Sequence, residues 1–136
     1  MSLTFGFTSA KDFHAKLQHN AALIDREVTG DALFNFVING YSLIDWVKND
    51  PSVPVAAKEA AELGALYADK WLKVCGDLAT AVKHFTLTGR IPITASATSK
   101  QDYGVGRYGK GGYGVGEESI KVLLNDGTTF SALELV

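Results

Sequence analysis

Cysteine is almost missing from this 136-residue chain. Its single example, Cys75, has no partner for an internal disulfide. That excludes a disulfide-stapled secreted scaffold and points to a reducing compartment. An excess of one charge is missing too: 13 Lys and Arg stand against 15 Asp and Glu, a net charge of −2. A nucleic-acid binder held by bulk positive charge is thereby excluded. No stretch reaches the ~18 uninterrupted apolar residues that a membrane-spanning helix needs. The nearest, residues 33–47, is interrupted by Asn35, Asn39, Ser42 and Asp45. The N-terminus carries Phe5 and Phe7 but no basic stretch leading into an apolar core, so it does not read as a targeting signal. Together these absences predict a soluble, cytoplasmic protein with no membrane partner.

Hydrophobic residues make up 46% of the chain and charged residues 21%, close to globular averages and unlike a disordered chain. The length fits one domain, 1–136, on a prior of ~100–200 residues per domain. Such a chain buries roughly two-thirds of its unfolded surface, so it folds without metals or disulfides. Composition changes near residue 86. Glycine is scarce before it and apolar spacing is helical; Gly, Thr and β-branched residues dominate after it. We read an α+β fold: a three-helix bundle over 1–86, then a small antiparallel sheet of three strands over 87–136, with a Gly-rich loop at 103–116.

Ser9 followed by Asp12 is a helix start, and Phe13, Leu17, Ala21, Ile24 and Val28 continue one apolar face, predicting helix 1 over 10–28. Gly30 reads as its end and Asp31 as the cap of helix 2, over 32–49. Helix 2 is apolar around most of its circumference, which marks a central element. Residues 50–54 contain two prolines and form a loop. Helix 3 is predicted over 55–85, with a bend near Gly64 or Gly76. Alternation predicts strands over 91–97, 119–124 and 128–135, the last two joined by an Asn125-Asp126-Gly127 turn.

Three places could carry function. On helix 2, Asp31, Asn35, Asn39, Ser42, Asp45 and Asn49 are spaced 4, 4, 3, 3 and 4 apart and form one narrow stripe. The stripe is a solvent face, a ligand or partner groove, or an internal polar seam. Asn is a poor helix former, and Asn35 and Asn39 on one line with Ser42 and Asp45 suggest groups chosen for hydrogen bonding. On helix 3, Asp77, Thr80 and His84 share a face near the helix end, with Lys73 one turn earlier. A His there is favoured by the helix dipole and could serve acid–base chemistry, although Asp77 lies about 10 Å along the axis from it. The bland alternative is a capping His on a solvated face. The third place is the Gly-rich segment, where Tyr recurs every five residues and Tyr-Gly-Val-Gly occurs twice. Tyr103, Arg107, Tyr108 and Lys110 could stack bases and contact phosphates, or the segment is simply a flexible loop or a lid.

Cofactor and metal patterns are absent. Gly109-Lys110-Gly111 lacks P-loop spacing, and His14 and His19 are five apart, pointing to nearly opposite sides of a helix. Cys75 falls on an apolar face and reads as a buried small hydrophobe.

Phe34-Asn35-Phe36 with Asp45-Trp46, and Cys75-x-Asp77-Leu78-Ala79 with Lys83-His84-Phe85, resemble a group of small uncharacterised proteins of bacterial and phage type. Those carry an Asn-Phe…Asp-Trp helix and a Cys-Arg-Asp-(Ile/Leu)-Ala-Asn-x-x-Lys-His helix. The second helix is also faintly similar to HEPN-type ribonucleases, whose Arg and His act at the RNA phosphodiester. Here Gly76 stands at the Arg position and Thr80 at the Asn position. The expectation is therefore a non-enzymatic protein-binding or assembly module, with protein or a second copy as partner and no cofactor. A HEPN-like ribonuclease or toxin-like enzyme using His84, Asp77 and Lys83, impaired by Gly76, is the alternative. A strand at 91–97 or 128–135 must form a sheet edge, covered either by a second copy or by residues 3–7.

Overall fold

A computed structural model describes residues 5–84, 92–101, 106–111 and 116–136. Helix α1 (Ala10–Arg26) starts as expected: Ser9 is extended and its hydroxyl accepts from the Asp12 N–H at 3.1 Å. A second acceptor comes from far along the chain. The carboxylate of buried Asp50 accepts from the Ala10 N–H at 2.7 Å. Glu27 is extended, so α1 stops two residues short of the predicted end.

Helix α2 spans Gly30–Asn49. Its cap is Thr29, whose hydroxyl accepts from the Ala32 N–H at 3.0 Å. Gly30 is thus the first helical residue rather than a terminator, and Asp31 lies in the first turn, where its charge suits the dipole. The helix lies between α1 and α4, as its apolar circumference requires. A side chain on Gly40 would touch both Cys75 Sγ, at 3.5 Å, and Leu17 Cδ1, at 3.7 Å, so glycine sets the close approach of these helices. Phe36 and Ile44 are buried. Trp46 is only half-buried, with one ring face stacked on Phe13 at 4.5 Å between centroids.

The long third helix is not continuous. A 3-10 turn (Val55–Lys58), α3 (Ala60–Ala68) and α4 (Lys70–His84) replace it. The breaks fall at Glu59 and Asp69, both extended, and not at Gly64 or Gly76. Asp69 explains its own break. Its carboxylate accepts from the Leu72 N–H at 3.0 Å and its carbonyl from the Lys73 N–H at 2.9 Å, so it caps α4. Aspartate competes for backbone donors inside a helix and satisfies them at its start. Phe85, the predicted end, lies outside the described residues.

Three antiparallel strands follow in the order β1 (Thr94–Gln101), β2 (Glu118–Leu124), β3 (Thr129–Ser131). Strand β1 starts at Thr94 and runs four residues beyond the predicted end at 97. Ile91 is outside the described residues. The Asp-Gly turn is present: Gly127 has φ +88°, and the Asp126 carboxylate accepts from the Thr128 N–H at 2.9 Å. The predicted last strand, 128–135, ends at Ser131. Ser131 and Glu134 form a capping box that opens a one-turn helix, α5 (Ala132–Leu135). The alternation of Phe130, Ala132 and the apolar residues after it is compatible with either state, and the cap decides it.

One face of β2 (Ile120, Val122, Leu124) joins Phe130, Ala132 and Leu135 over the helices, where Ile24, Leu33, Val37 and Val74 complete the core. The fold is α+β. Among the described residues, no helix is long and apolar enough to cross a membrane. Phe7 lines a cavity with Trp46 and Pro51 at the end of α2, and among the described residues no N-terminal segment pairs with the sheet. Leu3 is outside the described residues. Phe36→Ala should lower unfolding free energy by about 3–5 kcal/mol in urea titrations. Trp46→Ala, at a half-buried position, should lower it less.

Candidate functional site

Positions 34, 38, 41, 42 and 45 of α2 recur at three- and four-residue spacing and so share one face. That face meets the last turns of α4. Between them lies an open groove of about 470 Å³. From α2 it takes Phe34, Ile38, Tyr41, Ser42 and Asp45; from α4 it takes Ala79, Thr80, Val82, Lys83 and His84. Phe34, Tyr41 and Val82 keep substantial exposure despite their apolar surface. Lys83 and His84 occupy the end of α4, where unpaired carbonyls favour positive charge. Asp45 supplies the opposite sign from α2.

The polar stripe of α2 therefore does not act as one surface. Asn39 is buried, whereas Asp31 and Asn35 are exposed outside the groove. The Ser42 hydroxyl donates to the Ile38 carbonyl at 2.7 Å, and the Asn49 amide donates to the Asp45 carbonyl at 2.8 Å. Ser42 and Asp45 alone join the residues of α4.

Asp77 is separated from His84 and Lys83 by function as well as distance. It is 1% exposed, and its Oδ2 accepts from the N–H groups of Ile93 and Thr94 at 3.0 and 2.9 Å. That carboxylate anchors the start of β1 on α4 and is not in the groove lining. Gly76 is buried. Burial pushes the Cys75 thiol up to about 12, helped by the charge of Asp69, which disfavours the reactive thiolate. Among the described residues, no group of three or more His, Cys, Asp and Glu side chains could hold a metal ion.

Arg107 is also committed. Its main-chain N–H and Nε donate to Glu117 Oε1, both at 3.0 Å, and its Nη2 donates to Glu117 Oε2 at 2.8 Å. The same Nη2 donates to the Asp25 carbonyl at 2.6 Å, at the end of α1. Glu117 Oε2 accepts from the Val28 N–H as well, at 2.8 Å. Arg107 is thus tied to residues distant in the chain. A side chain on Gly106 would overlap the Glu117 backbone, and one on Gly111 the Gly116 backbone. Tyr108 and Lys110 remain exposed; Tyr103 lies outside the described residues. Sequence reasoning missed Glu117, because no spacing rule links residues 28, 107 and 117. It also missed Phe34 and Tyr41 on α2 and Val82 on α4 as site residues, since apolar positions at helical spacing read as core.

No family model, curated protein or solved structure matches the chain.

Glu117 is 2% exposed, and Arg107 first, then the Val28 and Arg107 N–H groups, hold its carboxyl at about 2 against the ordinary 4.5. The folded value is depressed, so the stabilisation is fully present above 4.5 and is lost as pH falls from 4.5 to about 2. A span of about 2.5 units corresponds to about 3 kcal/mol. Urea titrations at pH 7 and pH 2.5 should show this loss. Glu117→Gln should be less stable at pH 7 and show a pH slope shallower by about that amount.

Proposed function

We propose that the chain is a non-enzymatic protein-binding module whose recognition surface is the α2/α4 groove. One observation carries the reading: partly exposed Phe34, Tyr41 and Val82 line a single concave surface with Asp45, Lys83 and His84. Exposed apolar side chains gathered in a cleft and edged by charge are the composition of a binding surface. From residue 34 to residue 45 the face runs about 16 Å, the length of about three helical turns. It suits an apolar segment of a partner with charge at its flanks.

The assignment of Asp77 and Arg107 supports the same conclusion. The carboxylate that would orient His84 serves the β1 backbone, and the guanidinium that would contact a phosphate serves Glu117. The resemblance to HEPN-type ribonucleases lacks its cation, since Gly76 stands there. A buried, protonated Cys75 suits a reducing compartment, and we place the protein in the cytoplasm. No cofactor enters this reading.

Selection from a displayed peptide library tests it. Binders should carry large apolar residues flanked by charge and shift amide resonances at 34–45 and 79–84. Val82→Asp should weaken them about tenfold or more, equivalent to about 1.4 kcal/mol. The rival chemistry has its own signature: RNA cleavage that disappears in His84→Ala would replace the binding module with a ribonuclease.

A further inference from the structure

Strand β1 pairs with β2 from Thr94 to Gln101. Among the described residues no segment pairs with its other side. Thr94 is buried against α4, but every residue from Ala95 to Gln101 is exposed. This leaves a row of main-chain donors and acceptors available to another strand. The usual guards are lacking. The one register irregularity lies at the start, between Thr94 and Ser96; Pro92 precedes the strand; Lys100 is its only charge. The opposite edge is closed. Strand β3 has three residues and turns directly into α5, which packs on β2 and β3.

We propose that β1 pairs antiparallel with β1 of a second copy about a two-fold axis at Thr98, joining two three-stranded sheets into one of six strands. This inference is independent of the groove. The exposed stretch, 95–101, is centred on Thr98, so the axis there uses all of it. Thr98 then faces the partner's Thr98, Ala97 the partner's Ser99, and Ser96 the partner's Lys100. A copy fits better than a foreign segment because the side chains from Ala95 to Ser99 are all small, so recognition comes from main chain and register. Charge favours the antiparallel arrangement. Each Lys100 sits four residues, about 14 Å, from the partner's Lys100, beyond the ~8 Å screening length. A parallel pair would set the two lysines side by side. With β3 closed by α5, assembly stops at two copies.

The register makes Ser96 a test with two signs. In its own chain Ser96 stands opposite uncharged Leu123, so a charge there is tolerated by the monomer. Light scattering should be read from about 5 to 500 µM, since a small interface gives weak association. Mass should rise from 14.6 kDa to twice that value. Ser96→Glu, facing the partner's Lys100 twice, should lower the midpoint concentration about fivefold; Ser96→Lys should raise it about fivefold; adding Lys100→Glu to Ser96→Lys should restore it. Amide exchange at 95–101 should slow with concentration, while that at 79–84 should not. A constant mass of 14.6 kDa in the wild type overturns the proposal. So does a dimer whose midpoint ignores Ser96, or one abolished by Val82→Asp, which would place the contact in the groove.

Discussion

The attachment of the sheet to the α1–α2 turn depends on one buried carboxylate, Glu117. It lies at the start of β2 and accepts four hydrogen bonds, three from Arg107 and one from the turn between α1 and α2. A charge taken out of water without such partners would cost several kcal/mol. Here both oxygens are engaged, and the cation that neutralises them also reaches the carbonyl end of α1, where helical acceptors have no partner of their own. The clasp therefore joins four pieces at once: the end of α1, the α1–α2 turn, residues 106–111 and β2. Glycine is needed beside it because the backbone of Gly106 lies directly on that of Glu117, leaving no room for a side chain.

The same device recurs. Asp50 holds the first turn of α1 from the loop after α2, and the Ala10 N–H keeps its carboxyl below the usual range. Asp77 holds the first residues of β1 from the middle of α4. In each case a buried carboxylate satisfies backbone donors at the beginning of a distant element, where the element's own ladder leaves them open. This has a chemical consequence. A carboxylate oxygen bound to two main-chain N–H groups is fixed in place, which suits a joint and not a general base next to His84.

Local signals in the sequence were legible where the physics is local. Ser9 with Asp12 and the Asp126-Gly127 turn appear as their residue types require, and the apolar circumference of α2 does place it between two helices. Boundaries failed where two local tendencies compete. Asp69 interrupts an apolar helical pattern because a cap outweighs continuation there, and Ser131 with Glu134 ends a strand that alternation alone would extend. For the site, Ser42, Asp45, Lys83 and His84 were visible as polar groups at helical spacing. Their meeting across two helices was not, nor were the apolar residues between them. The Val28–Glu117 bond spans 89 residues, and nothing in the spacing of either residue announces it.

Helix α4 ties the two surfaces together. Its middle, through Asp77, fixes where β1 begins, and its last turns form one wall of the groove. Gly40 lets it lie close to α2 at Cys75, so its position is set by packing with little slack. The groove residues of α4 lie two to seven positions beyond the carboxylate that holds Thr94. The groove and the β1 edge thus share one helix as support and no residue in common.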